Sequence, residues 1–389
     1  MNKKKNTLPV YLQSSLVDQL IHNRPQSNST EPITYLHPPF TFKLASSFGF
    51  CFGVKQALEK AYLALSENPG KKIYLLGEII HNPLVNNDLK ENGIEIFSIN
   101  AAEQLITSLG TNPDPSIVII PAFGAPKHIY DLLEKNNKQQ LIVYDTTCPF
   151  VQKVWRRGES LSAAGYSLII HAKPNHEETM ATLSHCASAS VIIRDKSDAL
   201  AMAAFIKGHS SREEFDKHFL TLISPGFNPE KHLDKVGIIN QTTMLASETQ
   251  ELTQIISDAF RERYGAEQLS DHFANTKDTL CYATNKNQQA CLALANSGAQ
   301  LAIVIGGYNS SNTSHLVDIL SWHMPCYFID SPKSIISRTL IKHYDCHAKT
   351  IKDTADWLEE GNVTIAISAG ASCPDYLIEK VIKRICELA

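Results

Sequence analysis

The chain has 389 residues, of which 43% are hydrophobic, and a formal net charge of −4 at pH 7. This length and composition predict a globular protein of two or three domains and exclude a disordered chain. The weakly acidic balance argues against a nucleic-acid partner and against binding to an anionic membrane surface. No apolar run of about 18 residues occurs, so no transmembrane helix is predicted.

The first 41 residues differ in composition from the rest. A Lys3-Lys4-Lys5 block is followed by sequence rich in Ser, Asn, Gln and Pro, which predicts an N-terminal extension over 1–41. This segment lacks the apolar core of a secretory signal and the arginine content of an organelle transit peptide. The nine cysteines are odd in number and lack the dense spacing of a secreted disulfide scaffold. We therefore expect a bacterial cytoplasmic location rather than a plastid stroma.

Three cysteines share one local setting. Cys51, Cys148 and Cys281 each lie where an apolar β-type run gives way to a helix-type pattern, as in QLIVYDTTCPFVQKVW. The amide-rich start of a helix favours a thiolate, which is the form that binds metal. Zinc would need a fourth ligand, and no CxxC pair occurs. Three thiolates instead suit a 4Fe-4S cluster that keeps one iron without a protein ligand. The other six cysteines are expected to be buried and structural. Cys373 is the possible exception, because it lies in the loop GASCPD.

A second and a third strand-to-loop junction follow each cysteine. His81, His176 and Ser310 lie about 30 residues after the three cysteines, each just beyond an apolar run. Continuous Val- and Ile-rich runs over 117–120, 236–239 and 363–367 then predict central parallel strands. We predict an α/β fold of three similar modules with parallel sheets, arranged pseudo-threefold around a central iron-sulfur cluster. The expected boundaries are 42–140, 141–270 and 271–389.

Small polar residues indicate an anion site in two of these loops. Ser310, Ser311 and Asn312 follow two glycines in GGYNSSNTSHL, and Ser372 lies in SAGAS. Backbone amides and hydroxyls at a helix start bind phosphate groups, although a simple helix cap would explain the loop alone equally well. The loop matches no nucleotide fingerprint, so no tightly bound nucleotide is expected. Together with His81 and His176, these residues favour a diphosphate ligand.

The segment His176-Glu177-Glu178-Thr179 contains the predicted proton source. A carboxylic acid in a closed pocket that contains the cluster can donate a proton, and Glu178 is the candidate. A glutamate at a helix start also serves commonly as a capping residue, so the structural interpretation stays open. Thr242, in NQTTM, is the candidate partner for a substrate hydroxyl.

The motifs together resemble a known family. GFCFGVKQAL, GEIIHN, DTTCPFVQKVW, HEETMAT, NQTTM, CYATNKNQ, GGYNSSNTSHL and SAGASCPD are similar, in content and order, to the LytB family of 4-hydroxy-3-methylbut-2-enyl diphosphate reductases. The resemblance runs from about residue 42 to the C-terminus. The HEET form and the long segment before NQTTM resemble the plant and cyanobacterial branch.

The resemblance implies a two-electron reductive dehydroxylation that yields isopentenyl and dimethylallyl diphosphate. It implies one 4Fe-4S cluster per chain, a reduced ferredoxin or flavodoxin system as electron donor, and a monomer or homodimer. Glu178 would supply protons and Thr242 would orient the hydroxyl. The implied cluster ligands are Cys51, Cys148 and Cys281, and the implied diphosphate ligands are His81, His176, Ser310, Ser311, Asn312 and Ser372.

One position departs from the family pattern. Phe123 stands in PAFG where many bacterial members have a histidine, so a hydrogen bond to phosphate is lost there or supplied by a neighbour. Two other functions are compatible with an open iron. A hydro-lyase would use the cluster as a Lewis acid without electrons, and an iron-sulfur sensor would need a DNA-reading or partner-docking element, for which the sequence gives no sign.

Overall fold

The computed structural model describes residues 9, 14–22, 29–110, 115–137, 141–186, 188–274 and 279–389. Most of the predicted N-terminal extension before residue 29 therefore lies outside the described residues. The chain divides into two compact units. Unit 1 comprises Met1–Lys55, Ile80–Glu91 and Tyr282–Ala389, and unit 2 comprises Gln56–Ile79 and Asn92–Cys281.

Fifteen α-helices occur among the described residues. They are α1 Ser15–His22, α2 Phe52–Glu67, α3 Pro83–Glu91, α4 Ala102–Leu109, α5 Lys127–Asn137, α6 Pro149–Ala163, α7 Glu177–His185, α8 Lys196–Ile206, α9 Arg212–Phe219, α10 Pro229–His232, α11 Ala246–Tyr264, α12 Leu269–His272, α13 Tyr282–Ala295, α14 Ser311–Ser321 and α15 Asp375–Cys386. Within this described part of the chain, no helix has the length and apolarity that crossing a bilayer requires.

The strands alternate with these helices. They are β1 Ile33–His37, β2 Phe40–Leu44, β3 Ile73–Leu76, β4 Ile94–Phe97, β5 Ser116–Ile120, β6 Leu141–Asp145, β7 Ser167–His171, β8 Ser190–Ile193, β9 Val236–Asn240, β10 Phe273–Ala274, β11 Leu301–Ile305, β12 Cys326–Ile329, β13 Ile335–Ser337, β14 Leu340–Asp345, β15 Thr350–Ala355 and β16 Val363–Ala369.

Three parallel sheets share one plan, as the sequence predicts. Their orders are β4-β3-β5-β6 and β8-β7-β9-β10 in unit 2, and β12-β11-β16-β2-β1 in unit 1, where only β1 runs antiparallel. The central strands β5 and β9 are buried along their whole length because continuous Val and Ile runs leave no polar face. The α/β class and the three similar modules are therefore confirmed.

The strand before each predicted cluster cysteine pairs with the last strand of a neighbouring module. Strand β6 lies beside β5, β10 beside β9, and β2 beside β16. Residues 40–44 thus belong to the third sheet in unit 1, and β1, from the predicted extension, continues that sheet. The expected strand immediately before Cys281 is the two-residue β10, which ends at Ala274. Each sheet therefore contains a strand that lies outside the predicted module to which the other strands of the sheet belong. The module boundaries stay a prediction.

Helix α1 of the extension packs on the C-terminal helix. Its Val17 is fully buried in the core formed with α15 and the third sheet. The Ser14 hydroxyl and the Leu16 amide both donate to one carboxylate oxygen of Glu379, at 2.7 and 3.1 Å. Because the Glu379 carboxylate accepts two hydrogen bonds from the start of α1, the helix is fixed at its start. This part of the extension is therefore an ordered part of unit 1.

Candidate active site

The three predicted cluster cysteines each stand at the start of a long helix. Cys51 precedes α2 in unit 1, and its sulfur accepts the amide of Val54 at 3.5 Å. Cys148 is the N-cap of α6 in unit 2, with an extended backbone and Pro149 at the first helical position. Cys281 is 8% exposed and directly precedes α13. These settings match the prediction, since free helix amides stabilise a thiolate.

Four other cysteines lie in surroundings that disfavour the thiolate form. Burial raises the pKa of Cys186 and of Cys291 to about 12. It also raises the pKa of Cys326 and Cys373 well above the usual value. Cys373 is fully buried and its thiol donates weakly to the carbonyl of Pro374, at 3.7 Å. Burial therefore disfavours the thiolate form of these four cysteines, which agrees with the structural role expected for them.

Glu178 and Thr242 form a buried pair in unit 2, which we call the acid–threonine pair. The Glu178 carboxylate is 1% exposed and accepts two hydrogen bonds from Thr242. The backbone amide donates to Oε1 at 2.6 Å, and the hydroxyl donates to Oε2 at 2.8 Å. Both residues were predicted from separate motifs, and the structure brings them into direct contact. The carboxyl is thereby fixed beside a hydroxyl, which is the arrangement that positioned proton transfer requires.

His176 lies at the N-terminus of the helix that carries Glu178. It is the N-cap of α7, and its Nδ1 accepts the backbone amide of Glu178 at 3.1 Å. A neutral imidazole has one donor and one acceptor nitrogen, so this bond assigns the proton to Nε2. The ring of Phe123 meets the ring of His176 edge to face, with centroids 5.5 Å apart and planes at 90°. Phe123 therefore packs against a histidine whose proton is on Nε2.

Three residues that the sequence analysis missed connect these loops in unit 2. Gln241 accepts the Lys173 amide at 3.0 Å and the Thr179 hydroxyl at 3.3 Å through its Oε1. Asn240 accepts a short hydrogen bond from the hydroxyl of Thr279, two residues before Cys281. The NQTT motif thus joins the HEET loop to the segment before Cys281, a predicted cluster ligand. The signal was present in the sequence, because two amide side chains at the end of a buried strand need hydrogen-bond partners.

Polar residues of three loops meet in unit 1, in a group that we call the unit 1 polar cluster. Its members are His81, Asn309, Ser310, Ser311, Asn312 and Ser372. Asn309 contacts His81 Nδ1 at 3.2 Å, and the Ser372 hydroxyl donates to the His81 carbonyl at 3.2 Å. Asn82 closes the group by donating to the Ser372 carbonyl at 2.9 Å. The structure therefore brings His81, Ser310 and Ser372 to one place, as predicted.

The start of α14 has the features of an anion site. Ser310 caps the helix by accepting the Thr313 amide at 3.3 Å, and Ser310, Ser311 and Asn312 are all at most 5% exposed. Within the described residues, neither side-chain atom of the Asn312 amide has a hydrogen-bond partner. A buried amide without a partner costs free energy, so a ligand that supplies one is its natural explanation. The residues present therefore fit a bound diphosphate.

Glycines allow the close packing of this cluster. A Cβ at Gly307 would overlap the His81 carbonyl, and a Cβ at Gly306 or Gly370 would overlap the hydroxyl of Thr313. Gly49, two residues before Cys51, has φ +74°, and a Cβ there would overlap the Asp375 carboxyl. Burial raises the pKa of Asp375 to about 6 against the opposing charge of Lys55. Neither Gly49 nor Asp375 was singled out in the sequence.

Comparison with known sequences gives consistent matches. The sequence profile described as LytB protein matches residues 42–386. A protein named 4-hydroxy-3-methylbut-2-enyl diphosphate reductase from Gloeobacter violaceus is 38% identical over 350 residues, covering 90% of this chain and 83% of that protein. A protein of the same name from Prochlorococcus marinus (strain NATL1A) is 36% identical over 389 residues, covering 100% of this chain and 93% of that protein.

Two solved structures have similar folds. The E-1-hydroxy-2-methyl-but-2-enyl-4-diphosphate reductase from Plasmodium falciparum gives a TM-score of 0.63 at 23% identity, covering 88% of this chain and 86% of that chain. A structure of (E)-4-hydroxy-3-methyl-but-2-enyl diphosphate reductase, described as the terminal enzyme of the non-mevalonate pathway, gives 0.50 at 27% identity, covering 88% and 98%. At 23% identity the first structure supports the fold alone. The second structure carries the same enzyme name as the relatives found by sequence.

Proposed function

The chain belongs to the LytB protein family, and on that premise we propose that it is a 4-hydroxy-3-methylbut-2-enyl diphosphate reductase. The reaction removes the allylic hydroxyl of the substrate and gives isopentenyl and dimethylallyl diphosphate. The C–O bond breaks, the oxygen leaves as water with one added proton, and two electrons and a second proton go to the carbon skeleton. The observation that carries the proposal is the buried acid–threonine pair, because both proton transfers need a positioned acid.

Glu178 would hold and donate the protons. Its carboxyl is 1% exposed, so bulk water does not compete for the proton-transfer geometry. The two hydrogen bonds from Thr242 fix both carboxyl oxygens, and the Thr242 hydroxyl is itself able to turn toward a substrate hydroxyl. His176 anchors the same helical turn through the Glu178 amide. A proton donor on a rigid helix start keeps the reacting atoms aligned.

Cys51, Cys148 and Cys281 would hold the 4Fe-4S cluster. When bound, the cluster supplies electrons and an iron that has no protein ligand. The three thiols suit this role because each stands at the start of a helix of at least 14 residues, where backbone amides stabilise negative charge. The Val54 amide already points at the Cys51 sulfur. Hydrogen bonds of this kind also stabilise thiolate ligands of iron.

The unit 1 polar cluster would bind the diphosphate, with His176 as a further donor. These residues offer hydrogen-bond donors without a positively charged side chain. The donors are the backbone amides at the start of α14, the hydroxyls of Ser310, Ser311 and Ser372, and the side-chain amide of Asn312. Phosphate oxygens accept such bonds strongly at a helix N-terminus. A reduced ferredoxin or flavodoxin system as electron donor, the monomer or homodimer and the cytoplasmic location stay predictions.

The test is anaerobic turnover of the purified protein with its cluster intact. With 4-hydroxy-3-methylbut-2-enyl diphosphate and reduced methyl viologen, we expect both isomeric products, and none when the reductant is omitted. Product without a reductant would instead support the hydro-lyase. Cluster binding without any turnover would support the sensor. A colourless protein that contains zinc would contradict the cluster.

A further inference from the structure

Two buried polar side chains lie in the first two turns of α14 in unit 1. Asn312 is 3% exposed and His315 is 7% exposed. Neither the amide atoms of Asn312 nor the two ring nitrogens of His315 have a hydrogen-bond partner in the part of the chain that the structure describes. Burying such groups costs free energy, which a ligand that bonds to them recovers. His315 is therefore a sign of a bound ligand that is independent of the helix N-terminus.

His315 lies over the same turn of α14 as the predicted anion site. Residues three and four positions apart share one helix face, with Cβ atoms about 5–6 Å apart, so His315 is a neighbour of Ser311 and Asn312. The side chains of a helix lean toward its N-terminus, which places the imidazole over the first turn. Since His315 and Asn312 do not bond to each other, a phosphate oxygen between them would give both a partner.

Asp318 lies one turn further along α14 and faces one nitrogen of the His315 ring. Its carboxylate Oδ2 is 3.6 Å from Nδ1, which is longer than a hydrogen bond. A protonated imidazole carries an N–H on each nitrogen, so it can face a carboxylate with one and an anion with the other. The carboxylate lies on the Nδ1 side of the ring, and Nε2 is the nitrogen that a ligand can reach.

We propose that His315 is a further substrate-binding residue, which donates its Nε2–H to the same phosphate group that Asn312 contacts. This role rests on the proposed function, in which the start of α14 binds the diphosphate. The hydroxyls and amides of that site are uncharged, whereas a diphosphate carries several negative charges. A protonated imidazole adds a positive charge, and hydrogen bonds between charged groups are the stronger ones. The simpler alternative is that His315 only packs in the core.

Removal of the ring nitrogens tests this role. His315→Phe keeps a ring and should lower the affinity of the cluster-loaded protein for inorganic diphosphate about 10- to 100-fold, as for loss of one hydrogen bond to a charged group. His315→Leu gives the same test if the phenyl ring prevents folding. Without ligand, the free energy of unfolding should not fall, because the nitrogens have no hydrogen-bond partner to lose among the described residues. Titration calorimetry and urea unfolding measure the two quantities.

His343→Phe is the matched control in unit 1. The Nε2 of His343 forms a hydrogen bond with the Thr354 hydroxyl at 2.8 Å. Its replacement should therefore lower the free energy of unfolding and leave the affinity for diphosphate unchanged. The two histidines thus predict opposite patterns, one a loss of binding and the other a loss of stability.

A double-mutant cycle tests whether His315 and Asn312 share one phosphate group. In the background of Asn312→Ala, His315→Phe should lower the affinity by a smaller factor than it does alone, because residues that contact the same group are not additive. Equal factors in the two backgrounds would overturn the proposal. An unchanged affinity in the His315 variants would overturn it as well.

Binding of inorganic diphosphate needs no turnover, so it separates the role of His315 from the proposed function. If the cluster-loaded protein binds diphosphate with the predicted losses but never reduces the substrate, the proposed reaction fails and the role of His315 stands. If the unsubstituted protein binds no diphosphate, the role of His315 is wrong even where turnover is observed.

Discussion

The acid–threonine pair of unit 2 and the unit 1 polar cluster differ in whether their buried polar side chains have hydrogen-bond partners within the protein. Glu178 accepts two hydrogen bonds from Thr242, and nearby Gln241 and Asn240 bond to neighbouring loops. In unit 1 the buried Asn312 amide has no partner among the described residues. A satisfied network is rigid, whereas an unsatisfied one gains most from a ligand. The difference indicates fixed chemistry in unit 2 and anion binding in unit 1.

The largest expected effect comes from removing a cluster ligand. Cys148→Ala should abolish turnover and lower the bound iron sharply, because two remaining thiolates hold the cluster poorly. Cys186→Ala is the matched control in the same unit: its thiol is buried and its pKa is raised to about 12. Iron analysis and the visible spectrum after anaerobic reconstitution measure the outcome. Full iron content in Cys148→Ala would remove this residue from the cluster.

The next largest effect concerns the proton source. Glu178→Gln should lower kcat about 100- to 10,000-fold, the usual contribution of a positioned general acid, with KM and iron content nearly unchanged. The amide keeps the shape and a bond to Thr242 but cannot release a proton. Glu379→Gln serves as control, since Glu379 is also buried and accepts hydrogen bonds from Ser14 and Leu16. Steady-state kinetics decide, and an unchanged kcat would leave Glu178 a structural residue.

Asn312→Ala should affect binding and not stability. We expect KM to rise about 10- to 100-fold, as for loss of one hydrogen bond to a charged group. The free energy of unfolding should not fall, because the native amide has no partner to lose among the described residues. Asn240→Ala is the contrasting variant and should destabilise by about 1–3 kcal/mol, since it removes the buried hydrogen bond that Thr279 donates to Asn240. Urea unfolding of both variants measures this, and a large loss in Asn312→Ala would contradict the anion site.

The smallest effect is a pH dependence of stability from Asp375. Its pKa is raised to about 6 by burial, above the usual 3.8. As pH rises from about 4 to about 6, the unfolded chain releases this proton while the folded protein keeps it, so stability falls by about 2 kcal/mol and then levels off. Asp375→Asn should abolish this step. Urea unfolding of iron-free protein between pH 4 and 7.5 compares the two, and parallel curves would contradict the burial of the charge.

Local sequence pattern was sufficient to predict the central strands and the helix starts of the site. The Val and Ile runs of β5, β9 and β16 are buried strands, and each predicted cluster cysteine precedes a helix, as expected. The sequence also predicted that Glu178 and Thr242 follow the second and third strands of one module, at the carboxyl ends of parallel strands. These features could be predicted from the sequence because hydrophobic periodicity and motif position depend on residues that are near one another in the chain.

The pairing of strands that are far apart in the chain could not be predicted from the sequence in the same way. The pairing of β2 with β16 joins residues over 300 positions apart, and no local pattern specifies which edge a strand joins. The antiparallel sheet β13-β14-β15 was missed because β15 is exposed and polar along nearly all of its length. The overlap that requires Gly49 arises from Asp375, far along the chain. Such contacts depend on tertiary structure rather than on propensity.

The most direct test of the central claim is the electron count of a single reaction. Anaerobic titration of the cluster-loaded protein with reduced methyl viologen and 4-hydroxy-3-methylbut-2-enyl diphosphate should consume two electrons for each molecule of isopentenyl plus dimethylallyl diphosphate formed. In Glu178→Gln the same ratio should hold at a much lower rate. Product formed with no electrons consumed would contradict the account.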